Sequence, residues 1–350
     1  MGDDGDNNVH MNDAETVINY IQPLYSKFRY KKIYWDHYPI VKTSTGSTYP
    51  AVLEEVNKTM LDGALVMNYT GHGSASLLSH EQVLKTEHFQ KWSSPNLPLW
   101  FTAACDIVPF DMNQESLATE AVFNKRGAAM GFVGTARTVY STPNQTINRY
   151  FMKHLLGKNE YGRRYTIGEA LTYAKADIAT TKSLSNRDAL NKTHYVLIGD
   201  PAITLGAPTY NIKVDQINGT TVDENNQPLL SAGNVVTVAG HIEDEDGNVV
   251  NDYSGTVEPI VYDNIETIKC HRNSTSDTDT AFIYTDRTRT LFVGSEVVSG
   301  GRFSFSFPIP LDINYSNDNG LINLYATNGT YEAHGNCTDF RVGGTGNYVQ

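Results

Sequence analysis

Cysteine is scarce, with three residues in 350. At most one disulfide is possible, which excludes a scaffold stapled by several bridges. No run of about 18 apolar residues occurs, so no membrane-spanning helix is expected. The opening Met1-Gly2-Asp3-Asp4-Gly5-Asp6-Asn7-Asn8 has neither the basic nor the apolar segment of a secretory leader. It reads as a polar, Asp-rich loop with no strand before it, and suggests a fragment whose N-terminal part lies elsewhere. Basic residues are sparse where acid is dense. Residues 207–350 hold 19 acidic and 7 basic side chains and account for the whole net charge of −12, whereas residues 1–206 hold 20 of each. No basic patch points to a nucleic-acid partner. The acidic, Asn- and Thr-rich surface suits an extracellular or periplasmic β-domain and serves solubility equally well.

A chain of this length is expected to form two domains. The first, 1–206, alternates helical and strand patterns. Val17, Ile18, Ile21 and Leu24 predict a helix entered at Asn12–Glu15, with Pro23 inside it. Lys32-Ile33-Tyr34-Trp35 reads as a short strand. Pro50, Val52, Leu53, Val56 and Leu61 mark a helix closed by Gly63. Continuously apolar strands follow at 64–70, 97–101 (leading to Cys105), 127–134 and 195–198, with helices expected near 80–91, 114–125, 144–156 and 166–181. Such strands belong to a mainly parallel sheet with helices on both faces, an α/β fold with its sites at the carboxyl ends of the strands. After Gly206-Ala207-Pro208 the period changes to two, as in Phe303-Ser304-Phe305-Ser306-Phe307. The second domain, 207–350, is therefore expected to be an antiparallel, immunoglobulin-like β-sandwich.

Two apolar strands each stop at a reactive side chain. One runs through Asn68-Tyr69-Thr70-Gly71 to His72; the other runs through Phe101-Thr102-Ala103-Ala104 to Cys105. A free cysteine or a single histidine taken alone is ordinarily a structural residue. Equivalent positions at neighbouring strand ends change that, because a base and a thiol there can make an activated nucleophile. Gly71 and Gly73 permit a tight turn, and the Gly73 N–H can face a carbonyl. Cys270 and Cys337 could pair and leave Cys105 free; the sequence does not establish that pairing. Asp4, Asp6 and Asn8, with Glu15 at the twelfth place, have the spacing of a calcium loop, yet Val9 stands where that loop needs glycine, and a solvated turn is the favoured reading. A structural calcium is therefore only an outside expectation; no other metal and no cofactor is expected.

The Tyr69-Thr70-Gly71-His72-Gly73-Ser74 and Thr102-Ala103-Ala104-Cys105 motifs, 33 residues apart from His72 to Cys105, resemble the gingipain-type cysteine peptidases of the caspase-like clan. Tyr195-Val196-Leu197-Ile198-Gly199-Asp200-Pro201 is similar to that family's last catalytic strand. The resemblance implies a caspase-like fold, Cys105 as nucleophile, His72 as base and acid, and the Gly73 and Cys105 N–H groups as oxyanion hole. It also places Gly134, Thr135 and Ala136 at the specificity pocket. An acidic residue should orient His72; Asp3, Asp4, Asp6 or a residue outside this sequence could supply it. Arg137 could bind a carboxylate or sit on the surface, and the surface reading is favoured.

The β-domain, with Phe303–Tyr315 and Val342-Gly343-Gly344, resembles the family's sortase branch, which serves type IX secretion. That implies secreted protein substrates with C-terminal signals, lipopolysaccharide as acceptor, other type IX components as partners, and a place on the surface of a Bacteroidota-type cell. The competing reading is a non-catalytic adhesin or scaffold acting through the acidic β-domain. A thiol esterase is disfavoured because no nucleophile-elbow glycine pattern surrounds Cys105.

Overall fold

The apolar runs ending at His72 and Cys105 become adjacent strands of one sheet. A computed structural model describes residues 1–44, 46–180 and 185–346. Position 181 of the expected 166–181 helix and positions 347–350 of the second domain lie outside the described residues. The chain forms two units. One holds Met1–Leu24, Lys31–Gly206 and Lys269–Ile283; the other holds Tyr25–Tyr30, Ala207–Ile268 and Tyr284–Gln350. The division at 206/207 is thus accompanied by two exchanged segments, and 269–283 belongs to the first unit.

In the first unit, α1 (Val9–Ile21) precedes the hairpin β1 (Val41–Thr43) and β2 (Gly46–Thr48), followed by α2 (Pro50–Asp62) and β3 (Val66–Thr70). Short strands β4 (Gly73–Ser74), β5 (Leu77–Leu78) and β6 (Leu84–Lys85) lead to α3 (Thr86–Lys91). Next come β7 (Leu99–Ala103), α4 (Leu117–Phe123), β8 (Gly131–Thr135), α5 (Ser141–Leu156), α6 (Ile167–Ala179), α7 (Asn186–His194) and β9 (Tyr195–Gly199). The sheet order is β3-β7-β8-β9. β3, β7 and β8 are parallel, but β9 runs antiparallel to β8, because α7 delivers the chain directly into β9 at the Thr135 end. The sheet is therefore mixed α/β rather than uniformly parallel.

Three local expectations change. Helix α1 begins at Val9, not near Asn12, and stops at Ile21 ahead of Pro23, whose ring and missing N–H would break the helical ladder. Helix α7 was not legible in the sequence; Ser185 caps it, accepting from the Asp188 N–H. The opening segment is not a solvated loop. Gly2 bridges Thr70 and Tyr34, both in parallel sense. Its N–H donates to the Ile33 carbonyl at 3.1 Å, Trp35 N–H donates to its carbonyl at 3.0 Å, and Asp3 N–H donates to Thr70 at 3.0 Å. Met1–Asp3 thus adds a rung to the sheet beside β3, and Asp3 and Asp4 are buried.

Aromatic packing closes one face of this sheet. Trp100 is wholly buried, with ring centroids 5.0 Å from Phe89, 5.7 Å from Trp92 and 6.1 Å from Phe132. On the other face, Phe101 stacks between Phe151 and Tyr195 at 5.0 and 5.5 Å. Alternate residues of β7 therefore enter two cores, which explains its continuous apolarity.

The second unit is β-rich. Its main sheet runs through strands Thr290–Val293, Gly255–Tyr262, Leu321–Thr327, Glu332–Cys337, Tyr210–Ile217, Val235–Glu243 and Arg302–Pro308 in that spatial order. Phe303, Phe305 and Phe307 are buried while Arg302, Ser304 and Ser306 are exposed, as the period of two predicts. Pairing is not wholly antiparallel: Tyr210–Ile217 lies parallel to Glu332–Cys337, and Leu229–Ala232 lies parallel to Arg341–Thr345.

Replacing the buried indole should test the first core. Trp100→Ala is expected to lower unfolding free energy by about 3–5 kcal/mol, the usual cost of emptying an aromatic site. Equilibrium denaturation of the whole chain, followed by fluorescence and circular dichroism, checks this.

Candidate active site

Register brings the expected pair together. Thr70 of β3 stands opposite Ala103 of β7, so His72 and Cys105 each lie two residues beyond the last paired rung. Gly71 N–H still donates to the Ala103 carbonyl at 3.3 Å, carrying the two chains forward side by side. The flanking glycines serve clearance rather than an unusual backbone angle. A Cβ on Gly71 would stand 2.2 Å from the Tyr69 hydroxyl and 2.5 Å from Asp3 Cβ. One on Gly73 would stand 2.5 Å from Ile107 Cδ1 and 3.1 Å from Ala104 Cβ, which places Gly73 directly against the Cys105 turn.

The acid beside His72 comes from the opening segment. Asp6 Oδ2 lies 2.7 Å from His72 Nε2. A carboxylate there holds the proton on Nε2 and leaves the Nδ1 lone pair for a second partner. Asp3 instead serves the backbone: its Oδ2 accepts the His72 N–H at 3.1 Å. The Tyr69 hydroxyl lies 3.1 Å from the same oxygen and 2.8 Å from the His72 carbonyl. His80 stacks on the His72 ring at 4.1 Å and 16°, and His10 meets its edge at 4.9 Å. Both fix the ring plane.

Asp6 is presented by an unusual turn. Gly5, Asp6, Asn7 and Asn8 all have positive φ, at 79°, 46°, 52° and 65°. Asp and Asn tolerate this region better than other side-chain-bearing residues, at a cost of roughly 1–2 kcal/mol per residue. The 269–283 segment holds the turn: Asn7 N–H donates to the Asp277 carbonyl at 3.0 Å, Asn8 Nδ2 to Thr280 at 2.8 Å, and Asp279 N–H to Asn7 Oδ1 at 2.9 Å. Asp36 anchors the segment, accepting the Arg272 and Asn273 N–H groups at 2.8 and 2.6 Å. Sequence reading could not place 269–283 here, since it lies almost 200 residues beyond His72 in a stretch of β-domain composition.

Cys105 is half-buried. Its Sγ lies 3.5 Å from the Val139 carbonyl oxygen and accepts the Val139 N–H at 3.4 Å. Among the described residues no hydrogen bond joins it to His72; the imidazole engages Asp6 and the thiol engages Val139. Asp106, next in the chain, has φ 54°, and its carboxylate accepts the Thr138 hydroxyl at 3.1 Å. Gly134, Thr135 and Ala136 are buried beneath this turn. The Thr135 hydroxyl donates to the Ala104 carbonyl, and Val108 N–H donates to the Thr135 carbonyl at 2.9 Å. Arg137 forms a forked ion pair with Asp111 at the surface.

The other cysteines offer no comparable nucleophile. Cys270 belongs to the first unit and Cys337 to the second, and both are free, so the possible Cys270–Cys337 disulfide is not formed. Burial pushes their thiols up to about 12 and about 11. The calcium-loop spacing does not gather its ligands either. Asp4 accepts from Tyr49 at 2.7 Å, Asp6 engages His72, and Glu15, inside α1, meets the Tyr34 hydroxyl at 2.7 Å and Lys32 at 2.9 Å. Among the described residues, two other clusters have metal-compatible groups: Asp6 with His10 and His72, and Asp3 with Asp4 and Glu81.

Such an end-of-strand pairing of thiol, imidazole and carboxylate can do nucleophilic acyl chemistry. A model of peptidase family C25 matches residues 1–206. The chain belongs to peptidase family C25. Solved structures similar to this family C25 chain include dimeric latent PorU from Porphyromonas gingivalis, with 26% identity over 64% of this chain and 21% of that one, TM-score 0.39. The Arg-specific cysteine proteinase gingipain R shows 16% identity over 95% of this chain and 62% of its own, TM-score 0.46. The complex of RgpB pro- and mature domains from Porphyromonas gingivalis shows 15% identity, covering 97% and 64%, TM-score 0.43. The chain therefore spans less than two thirds of each of these relatives' chains. A comparison with curated protein sequences finds no match.

Buried acids below the family C25 site set its pH response. Burial, then the Glu81 charge, raises Asp4 to about 7, and Asp3 is raised for the same leading reasons. Folding thus favours the neutral acids. That contribution is complete below the ordinary carboxylate value and is lost as pH rises through about 7, at up to about 1.4 kcal/mol per pH unit for one group. Asp4→Asn should flatten the fall in melting temperature between pH 5 and pH 8 (approximate limits of that window), leaving the variant the more stable protein at the alkaline end. Thermal unfolding across that range tests it.

Proposed function

We propose that this family C25 chain cleaves peptide bonds with a Cys105–His72 dyad oriented by Asp6. The observation that carries this reading is the shared register beyond Thr70 and Ala103, together with the Asp6 carboxylate on His72 Nε2. With Nε2 protonated, Nδ1 takes the proton from Sγ, and the thiolate attacks the scissile carbonyl carbon. The N–H groups of Gly73 and Cys105 receive the developing oxyanion. Nδ1–H then protonates the departing amine, leaving a thioester on Sγ. Water on that thioester gives hydrolysis; an amine gives transpeptidation. Gly134, Thr135 and Ala136 form the buried rear wall of the primary side-chain pocket.

The substrate class we assign is secreted protein cargo carrying a C-terminal signal, processed at the surface of a Bacteroidota-type cell as part of type IX secretion. Transfer of the cargo to surface lipopolysaccharide follows if an amine takes the thioester. The β-domain pattern of 303–315 and 342–344 supports this role, as does the PorU likeness in name. We take the second unit as immunoglobulin-like on its alternating strands. Its excess of acid suits an exposed location.

Cys105→Ala and His72→Ala should each reduce cleavage of such cargo by roughly 10⁴-fold or more, with the fold unchanged by circular dichroism. Normal processing by Cys105→Ala removes the nucleophile from this position. Mass spectrometry with an added amine acceptor separates the two fates: a conjugate marks transfer, and only free acid marks hydrolysis.

A further inference from the structure

We propose that Asp6, His10 and His72 form an inhibitory site for a zinc-class divalent cation, built into the base of the catalytic apparatus. The inhibitory part rests on His72 being the general base; the site itself does not.

Three observations carry it. The ligand atoms of these residues all lie within 4.8 Å of one another. Asp6 Oδ2 stands 2.7 Å from His72 Nε2 and 3.5 Å from His10 Nε2. Tetrahedral zinc with bonds of about 2.0–2.1 Å separates its ligands by about 3.3 Å, so the first spacing must open by about 0.6 Å and the second close by about 0.2 Å. The third observation is His10 itself. Its side chain is only 9% exposed, and neither ring nitrogen has a hydrogen-bond partner among the described residues. A buried imidazole ordinarily satisfies at least one nitrogen, since leaving it bare forfeits its hydration without return. Here Nε2 points at the Asp6 oxygen that His72 also uses. A cation between the three would satisfy it.

The site is also reachable. The side chains of Asp6 and His72 are 48% and 34% exposed, so an ion can enter from solvent while His10 closes the inner side. Two imidazoles and one carboxylate favour zinc and its neighbours over calcium or magnesium, which prefer all-oxygen cages.

Occupancy would silence the peptidase through the tautomer. A metal on His72 Nε2 takes the lone pair there and displaces the proton to Nδ1. Nδ1 then has no lone pair to accept the thiol proton, and Asp6 no longer orients the ring. Removal of the ion restores the direct contact between Nε2 and Asp6 Oδ2 seen in the structure.

Calorimetric titration of the whole chain with zinc chloride tests the site apart from catalysis. Wild type and Cys105→Ala should bind one equivalent with equal affinity, whereas His10→Asn and Asp6→Asn should bind at least tenfold more weakly. Asp6 is half-exposed, so its variant remains informative if His10→Asn fails to fold. Unchanged affinity in the soluble variants overturns the site, as does loss of binding in Cys105→Ala, which would put the ion on the thiol. For inhibition, the ratio of chelated to zinc-treated activity should be large in wild type and fall towards one in His10→Asn. Binding at the triad without loss of turnover overturns the inhibition. Cleavage persisting in Cys105→Ala would instead sink the dyad, whatever the titration shows.

Discussion

The level of three neighbouring chain ends is the constraint on which the site depends. Gly2, Thr70 and Ala103 occupy one row of the sheet, joined by the Gly2–Thr70 bridge and the Thr70–Ala103 pairing. Each chain then continues two to four residues past that row and presents a polar side chain: Asp6, His72 or Cys105. Parallel strands about 4.8 Å apart bring such residues within reach without any further device. A slip of one residue would turn every side chain to the opposite face. The split of β7 into two aromatic cores, with Trp100 on one side and Phe101 on the other, opposes such a slip.

Presentation of Asp6 demands a backbone that few sequences accept. Four consecutive residues with positive φ suit only a stretch such as Gly5-Asp6-Asn7-Asn8. The strain is offset by hydrogen bonds from 269–283, a segment that belongs to the first unit although the chain on either side of it belongs to the second. Asp36, buried and accepting three N–H groups from residues 271–273, fastens that segment. Strain held by surrounding structure at a reactive residue is a recurrent feature of enzyme sites.

Electrostatics divides the opening acids by depth. Asp3 and Asp4 are buried and favour the neutral form; Asp3 accepts the His72 N–H and Asp4 accepts the Tyr49 hydroxyl. Asp6, two residues on and half-exposed, is the acid on the imidazole. Residues of one type thus take different roles through their depth in the fold and, for Asp3 and Asp4, the nearby Glu81 charge.

The sequence alone determined the pattern of elements and the two reactive strand ends. Apolar runs in β3, β7 and β8 and the period of two in Arg302–Pro308 report burial directly, and the His72 and Cys105 motifs report the peptidase family. The sequence left Asp3, Asp4, Asp6 or a residue outside it as the acid beside His72; only coordinates put Asp6 against Nε2. An Asp-rich segment looks solvated in sequence because composition records polarity, not the strand beside which a chain lies. The antiparallel sense of β9, the Arg137–Asp111 pair and the separation of Cys270 from Cys337 are likewise decided by contacts between residues distant in sequence. Local periodicity encodes which face is apolar; only tertiary structure brings residues 2, 70, 103 and 277 to one end of a sheet.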